Sequence, residues 1–258
     1  MSRKLFIPGC ALPSYNPHNV AETIKYLLTK FPDMSVVQKC CGKPTAAVGQ
    51  VDLFEQRLDG LLRDIKECEA DEVIVACQSC MKVLNACKDF KTISLWELFP
   101  AIGLPPHLVG KAKDSDAVIS VHDSCSVRDY TGIHDGIRWI LDELGYKCAE
   151  PEKTRGTTRC CGFGGMIAPA NPSVAKRVMT RRVADFPTDK IVVYCAACRS
   201  SMMQANGQAW HILDLVWGDV VRADSVCPAN VLASPVSAWK NRFKSKQLIK
   251  AAMKCCTK

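Results

Sequence analysis

Cysteine is the residue type in this chain that points most directly to chemistry. The sequence holds 16 cysteines among 258 residues, far more than an ordinary cytosolic enzyme carries. Thiols are kept reduced in the cytosol, so disulfides are rare there. A disulfide scaffold is the plainer alternative, but such scaffolds belong to small secreted domains that lack a core. With 48% hydrophobic residues this chain is able to bury a hydrophobic core. The composition therefore favours metal or redox chemistry.

The cysteines recur in a duplicated pattern, in which a single cysteine precedes an adjacent pair with a glycine and then a C-x-x-C knuckle. The first copy comprises Cys10, Cys40, Cys41, Cys77 and Cys80, and the second comprises Cys125, Cys160, Cys161, Cys195 and Cys198. The surrounding residues repeat too, since VIVACQSC at 73–80 matches IVVYCAAC at 191–198, and SLWELF at 94–99 echoes HILDLV at 211–216. The chain is therefore predicted to contain two copies of one unit.

Each copy alternates short β-rich runs with helical patterns. The predicted strands are Lys4–Pro8, Ser35–Val37, Glu72–Ala76, Ala117–Val121, Tyr146–Ala149 and Lys190–Tyr194, and the predicted helices are His18–Phe31, Leu53–Glu67, Tyr130–Leu144 and Pro172–Asp185. This alternation predicts an α/β fold of two pseudo-symmetric repeats, each a small parallel sheet with flanking helices. We assign residues 1–112 and 113–222 to the repeats, with Ala101–Asp114 as a linker, and residues 223–258 to a basic C-terminal extension.

The predicted strands place the cysteines at one edge of each sheet. Cys10 and Cys77 each follow a strand in the first copy, as Cys125 and Cys195 do in the second. Loops at the carboxyl ends of parallel strands form the crevice in which such folds hold ligands. The glycine after each cysteine pair lets the backbone approach a bulky inorganic group. We therefore expect five thiolates per repeat to converge on one rim.

Zinc, iron–sulfur clusters and plain thiol chemistry are the alternatives for these thiolates. Zinc takes four tetrahedral ligands, usually from two separate C-x-x-C knuckles. A set of five thiolates that includes an adjacent pair would leave one thiolate without a place in such a site. A polynuclear iron cluster accommodates the pair, because neighbouring thiolates can bind different metal atoms. Thioredoxin-like exchange at a C-x-x-C after a strand leaves the adjacent pairs unexplained. Iron–sulfur binding is therefore the favoured interpretation.

The pattern C-x₂₉-CCG…CxxC of the first copy, repeated with a gap of 34 residues in the second, resembles the CCG (cysteine-rich) domain over about residues 3–217. That domain occurs in the catalytic subunit of heterodisulfide reductase and in iron–sulfur subunits of glycolate, lactate and glycerol-3-phosphate oxidising systems. The resemblance implies two non-cubane [4Fe-4S] clusters at the repeat interface, each held by five cysteines. One cluster would use Cys10, Cys40, Cys41, Cys77 and Cys80, and the other Cys125, Cys160, Cys161, Cys195 and Cys198.

Because both repeats are complete, the resemblance favours a disulfide oxidoreductase subunit of the heterodisulfide reductase type. A small-molecule or protein disulfide between the clusters would receive two electrons, one through each cluster. An electron-transfer subunit of a hydroxy-acid oxidising complex is the alternative, and an iron–sulfur sensor or structural protein is a third class. No C-x₂-C-x₂-C-x₃-C-P run is present, so electrons are expected from a ferredoxin-type or flavin subunit.

Four residues beside the cysteine motifs are weaker candidates for a role in the chemistry. Lys43, His122, Arg128 and Arg199 could contact an anionic substrate, or could be solvated or tune cluster potential through hydrogen bonds. His211, at the start of HILDLV, is predicted to be structural. The unmatched cysteines are predicted to be buried apolar residues; they are Cys68, Cys87, Cys148 and Cys227.

The charge is concentrated at the C-terminal end. Of the formal +8, the lysines and arginine after Asp224 supply all but about +1, so nothing suggests nucleic-acid binding. Trp239, Phe243, Ile249 and Met253 form a predicted apolar helical stripe, suited to a membrane surface, an acidic partner or the protein itself. The adjacent pair at 255–256 is either a mobile dithiol or a bystander.

No secretory signal or bilayer-length apolar run is visible. We therefore expect a cytoplasmic protein.

Overall fold

The structure, a computed structural model, describes the backbone of residues 2–255 and the side chains of residues 2–253. The chain divides into two compact units. One comprises the chain up to Leu95 together with the segment from Val231 onward, and the other comprises Trp96–Asn230.

Each unit is built on a parallel sheet of four strands. The strand order is β2-β1-β3-β4 in the first unit and β6-β5-β7-β8 in the second. The strands are β1 Lys4–Ile7, β2 Ser35–Val36, β3 Glu72–Val75, β4 Lys91–Ser94, β5 Val118–His122, β6 Lys147–Cys148, β7 Lys190–Val193 and β8 Gln208–His211. The central strands pair in matching register, with Ile7 opposite Val75 in one sheet and His122 opposite Val193 in the other.

Helices follow the strands throughout both units. They are α1 Ala11–Tyr15, α2 Pro17–Lys30, α3 Lys43–Ala47, α4 Val51–Glu67, α5 Gln78–Leu84, α6 Leu95–Ile102, α7 Thr131–Leu144, α8 Ile167–Ala170, α9 Pro172–Ala184, α10 Ala196–Gln204, α11 Ile212–Trp217 and α12 Pro235–Cys255. Helix α2 shows why they begin where they do: Asn16 accepts hydrogen bonds from the His18 and Asn19 amides, both at 3.1 Å, and Pro17 opens the first turn.

The predicted α/β fold with two parallel sheets is confirmed, and so are the six predicted strands, with ends shifted by one residue or so. Strands β4 and β8 were missed. Strand β4 is largely half-exposed, and the strands β4 and β8 run directly into the helices α6 and α11. No turn residue separates strand from helix there, so local patterning hides the boundary.

The core lies around the central strands, because a parallel sheet is covered on both faces. Leu5, Phe6 and Ile7 of β1 are fully buried, and all four residues of β7 are buried as well. This two-sided burial explains the continuous apolar runs that the sequence shows at these strands. Among residues 2–255, no helix combines the length and apolarity that crossing a membrane requires.

The segment predicted as a linker, Ala101–Asp114, is more ordered than a connector. Its first residues end α6, and Leu104, Leu108 and Ala112 are buried. The Ala112 amide also donates to the carbonyl oxygen of Leu144 at 2.8 Å. This segment belongs to the second compact unit. The domain boundaries at residues 112 and 222 stay a prediction, since sequence repeats and compact units need not share their ends.

Helix α12 packs against α1 and α2 of its own unit. The Asn241 side-chain amide donates to the carbonyl oxygens of Ser14 and Tyr15, at 3.2 and 3.1 Å. The packed face contains Ser245, Ile249 and Ala252, all buried, whereas Trp239 is 70% exposed and Phe243 56% exposed. The predicted stripe is therefore divided: Ile249 packs on the protein itself, whereas Trp239 and Phe243 remain exposed. The adjacent cysteine pair at 255–256 lies outside the side chains that the structure describes.

Candidate metal centres

The first five cysteines lie at the carboxyl end of their sheet. Cys10 precedes α1 in the loop after β1, and Cys77 precedes α5 directly after β3. Cys40 and Cys41 lie between β2 and α3, and Cys80 lies in the first turn of α5. Strands β2, β1 and β3 are neighbours, and the carboxyl ends of parallel strands meet at one edge. The sheet topology therefore brings together loops that are up to 70 residues apart in sequence.

These five thiols form one continuous group. The Cys10 thiol hydrogen-bonds Cys40, and the Cys80 thiol contacts both Cys41 and Cys77. The charge of Cys77 also acts on Cys10, which links the two subsets. Hydrogen bonding to Cys40 and burial raise the pKa of Cys10, and hydrogen bonding to its neighbours and burial likewise raise the pKa of Cys80.

The second five cysteines repeat this arrangement around β5, β6 and β7. Cys125 hydrogen-bonds Cys160, which contacts Cys161. Cys161 contacts Cys198, and Cys198 contacts Cys195 at the start of α10. The hydrogen bond with Cys160 is the main reason that the pKa of Cys161 rises to about 12. Each group is therefore a connected set of crowded thiols.

A glycine shapes the backbone after each cysteine pair. Gly42 has φ +78° and Gly162 has φ +91°, values that glycine adopts at little cost. This turn aims the Gly42 amide at Cys40 Sγ, 3.4 Å away, and the Gly162 amide at Cys160 Sγ, 3.3 Å away. Hydrogen bonds from Cys10 and from the Gly42 amide lower the pKa of Cys40 to about 6, although burial acts to raise it. Hydrogen bonds from Cys125, Cys161 and the Gly162 amide lower the pKa of Cys160 far below its usual range.

Both groups suit a polynuclear iron cluster. None of these ten cysteines forms a disulfide with another described residue, and holding five thiolates together is costly unless bound cations offset their negative charge. At Gly9 the backbone also approaches the first group closely: a Cβ there would lie 2.9 Å from Cys77 Cβ and 3.7 and 3.8 Å from Cys77 and Cys80 Sγ. A lone tetrahedral ion would leave a fifth thiol without a role.

A basic residue anchors each cysteine pair to a helix, a feature that the sequence interpretation missed. Lys39 Nζ donates to both carboxylate oxygens of Asp64 on α4, each at 2.8 Å. Arg159 Nη1 donates to Asp185 Oδ1 at 2.6 Å, just after α9. The signal was present as K-C-C-G and R-C-C-G, but the acidic partners are 25 residues or so away and could not be identified from spacing.

A second missed feature, a buried ion pair, supports the loop that carries Cys125. Asp123 is fully buried and accepts from Arg138 Nη1 and Nη2 at 2.6 and 2.8 Å, and from the Arg155 amide at 2.7 Å. Burial acts to raise the pKa of Asp123, but the hydrogen bonds and charge of Arg138 lower it below its usual value. The equivalent position in the first repeat is Pro8, so no repeated signal marked this pair.

The four weaker candidates have different surroundings. Lys43 is exposed at the start of α3. Arg128 donates to the Thr158 carbonyl oxygen from Nε and Nη2, at 3.1 and 2.8 Å. Arg199 is buried and donates to the Ala229 carbonyl oxygen at 3.3 Å. His122 is buried at the end of β5. Contact of these residues with a substrate stays a prediction.

The predicted burial of the four unmatched cysteines was wrong. Cys148 is exposed, and Cys68, Cys87 and Cys227 are half-buried. The structural role predicted for His211 is confirmed: its Nδ1 accepts from the Leu213 amide at 3.2 Å, and its own amide donates to the Asp214 carboxylate at 2.8 Å, which caps α11.

Comparison with known proteins gives matches that span both cysteine groups. The model of the CCG cysteine-rich domain family matches residues 5–85 and 119–203. One subunit of the dihydromethanophenazine:CoB–CoM heterodisulfide reductase from Methanosarcina mazei is 26% identical, over 78% of this chain and 52% of its own length. One subunit of the fumarate reductase (CoM/CoB) from Methanothermobacter marburgensis is 25% identical, over 77% of this chain and 41% of its own. The EtfAB:quinone oxidoreductase of Syntrophomonas wolfei is 25% identical, over 73% of this chain and 28% of its own.

This chain thus spans about half the length of these relatives or less. Among solved structures, glutamate racemase RacE1 from Bacillus anthracis superposes with a TM-score of 0.36 at 11% identity, over 83% of this chain and 78% of that one, a likeness too distant to bear on function. The family model covers well over half of the chain in two copies, each spanning one group of five thiols, and on this basis the chain belongs to the CCG cysteine-rich domain family.

Proposed function

We propose that this chain is an iron–sulfur oxidoreductase subunit that exchanges electrons with a disulfide substrate. The observation that carries the proposal is the gathering of five thiols into one connected group in each repeat. The residues that would hold one cluster are Cys10, Cys40, Cys41, Cys77 and Cys80, and those that would hold the other are Cys125, Cys160, Cys161, Cys195 and Cys198. When bound, such clusters supply single electrons and a metal surface with affinity for sulfur.

The chain's own residues prepare the thiolates for metal. The lowered pKa values of Cys40 and Cys160 keep one thiolate in each group deprotonated near neutral pH. The positive charges of Arg242 on α12 and of Arg57 on α4 act on Cys40 in the same direction. Fixed positive charge next to an anionic metal–thiolate group makes that group less costly to hold. We assign this role to Arg242 and Arg57.

The choice of a disulfide substrate is supported by the match to a heterodisulfide reductase and by the presence of both complete groups. The electron donor would be a ferredoxin-type or flavin subunit, since the chain lacks a ferredoxin motif. The likeness to part of a fumarate reductase and to an EtfAB:quinone oxidoreductase favours a second candidate. In that role the chain relays electrons within a flavin-dependent oxidising complex, such as one for hydroxy acids, without acting on a disulfide.

The outer face of α12 is proposed as the docking surface for an acidic partner protein. Trp239 and Phe243 stack there with ring centroids 6.2 Å apart, and Lys246 and Lys250 are exposed at positions that share their side of the helix. Replacing both aromatic residues by serine should abolish binding to the partner while Ile249, on the packed face, keeps the helix in place. Binding of the unmodified chain to vesicles with anionic lipid, lost in the double variant, would instead identify a membrane surface.

Metal analysis after anaerobic purification tests the proposed clusters. We expect about eight irons with matching acid-labile sulfide and a cluster EPR signal. Cys77→Ser should remove about half of the iron, whereas Cys148→Ser, which changes an exposed cysteine outside both groups, should remove none. Zinc without iron in the purified chain would refute the proposal. Turnover of a disulfide with a dithionite-reduced dye then separates the reductase from the relay.

A further inference from the structure

His122 lies beside the second group of thiols. It is the last residue of β5, three positions before Cys125, and is 1% exposed. A ring nitrogen of His122 and the Sγ atoms of Cys161 and Cys198 lie within 4.8 Å of one another. By distance alone, these three residues resemble a metal-binding set.

The partner of Nδ1 argues against direct metal ligation. Arg182 Nε donates to His122 Nδ1 at 3.1 Å, and an arginine side chain has no acceptor. Nδ1 therefore carries no proton, and the neutral ring carries its proton on Nε2. A histidine that ligates metal through Nε2 normally donates its Nδ1 proton to an oxygen acceptor, which is the reverse of this arrangement.

The ring is held in place from several sides. Arg182 is itself buried, donates to the Lys153 carbonyl oxygen at 3.0 Å and stacks on the Phe186 ring, with 4.4 Å from its guanidinium carbon to the ring centroid. The imidazole meets the same ring edge-on, with centroids 6.2 Å apart. These contacts hold Nδ1 towards Arg182, so the Nε2–H group points away from Arg182.

The Nε2–H group has no hydrogen-bond partner among the described residues, and it is buried. A buried donor without an acceptor costs about 1–3 kcal/mol, so its retention calls for a ligand. The adjacent candidates are the sulfur atoms of Cys161 and Cys198 and the inorganic sulfide of a bound cluster. Such sulfur atoms accept hydrogen bonds, and those bonds stabilise the reduced, more negative state.

The first repeat lacks this donor. Ile7 occupies the position equivalent to His122: each is the last residue of its central strand, three positions before the first cysteine of its group. Ile7 is fully buried and offers no polar hydrogen. The two cluster sites are therefore chemically different, although their cysteine sets match.

We propose that the Nε2–H group of His122 donates a hydrogen bond to a sulfur of the second cluster and raises the reduction potential of that cluster. Arg182 is the positioning residue that selects the tautomer. This inference rests on the proposed function, because it requires that both groups bind clusters.

Redox titration of the anaerobically purified full chain, followed by EPR, tests the inference in three variants. His122→Leu should lower the potential of one cluster by about 59 mV, which corresponds to about a tenfold change in a one-electron equilibrium, and leave the other unchanged. His122→Gln, which keeps an N–H donor, should restore part of that shift. His134→Leu, which removes a buried histidine on α7, is the matched control and should change neither potential.

Several results would overturn the inference. Unchanged potentials in His122→Leu with both clusters present would do so while leaving the proposed function intact. Loss of the second cluster from both His122 variants, but not from His134→Leu, would show that His122 is needed for assembly. A strong ¹⁴N hyperfine coupling in pulsed EPR would show direct ligation of iron by the imidazole. Absence of iron from the unmodified chain would instead refute the proposed function itself.

Discussion

Gly9→Ala should selectively disrupt the first cluster site. Gly9 precedes Cys10 with φ +83°, and a Cβ at this position would lie 2.9 Å from Cys77 Cβ. Carbon atoms in favourable contact are about 3.5–4.0 Å apart, so the two carbons would have to separate by roughly 0.6 Å or more. Cys77 Sγ is bonded to the displaced carbon and would move with it.

The expected effect has two components. An alanine in the left-handed region costs about 1–2 kcal/mol of folding stability, which the folded unit should tolerate in part by local adjustment. The displacement of Cys77 Sγ is the larger effect for metal binding, because ligand distances in a metal site are set to within about 0.2 Å. We therefore expect modest destabilisation of the metal-free protein together with loss of about half of the iron.

Gly49→Ala provides the matched control. Gly49 lies in the same compact unit with φ +81°, and no atom lies within 4 Å of the Cβ that it would gain. Its backbone strain should equal that of Gly9→Ala without contact with a cysteine. The second repeat has Ser124 at the position of Gly9, with φ −71°, so the requirement for glycine is specific to the first site.

Iron and sulfide counts per chain, with chemical denaturation of the metal-free forms, separate the two components. Both variants should lose stability through backbone strain, Gly9→Ala more than Gly49→Ala because of its overlap with Cys77, and Gly9→Ala alone should lose iron. If Gly9→Ala retained as much iron as Gly49→Ala, the reasoning from the 2.9 Å approach would be refuted.

Three further predictions concern pH, the buried ion pair and the C-terminal helix. In metal-free protein, alkylation of Cys40 by iodoacetamide, followed residue by residue with mass spectrometry, should rise through about pH 6, since its pKa is lowered to about 6 and the thiolate is the nucleophile. Asp123→Asn should cost about 3 kcal/mol in denaturant unfolding at pH 7, because Arg138 loses a buried charge partner. The pKa of Asp123 is lower in the folded than in the unfolded protein, so ionised Asp123 contributes stability at any pH above the unfolded-state pKa. That contribution is lost as the pH falls through the folded-state pKa, so the cost of Asp123→Asn should shrink in acid. Ile249→Ala should cost about 2 kcal/mol or more, while Trp239→Ala should stay within about 0.5 kcal/mol.

Each of these predictions has an outcome that contradicts it. Alkylation of Cys40 that rises only near pH 8.5, the usual cysteine value, would show that the hydrogen bonds from Cys10 and the Gly42 amide do not stabilise the thiolate. A cost of Asp123→Asn that is constant down to about pH 2 would exclude the ion pair as its source. Equal costs for Ile249→Ala and Trp239→Ala would mean that the packed face of α12 is not the one described.

The sequence alone was sufficient for the duplication, the sheet class and the two sets of five cysteines. These features are readable in one dimension because cysteine spacing repeats and because buried parallel strands appear as apolar runs. The topology of parallel strands then implies that the loops carrying Cys10, Cys40 and Cys77 share an edge. The edge strands β4 and β8 escaped notice, since each leads into a helix without a turn residue.

Only the tertiary structure decided which partners these elements meet. Periodicity shows that α12 has an apolar side, but its rotation depends on contacts such as those of Asn241 with Ser14 and Tyr15, more than 200 residues away. The hydrogen bond from Arg182 on α9 to His122 on β5 joins residues that are 60 positions apart. Local sequence carries no information about such distant hydrogen bonds. They arise when burial brings the two elements together and each buried polar group must then find a partner.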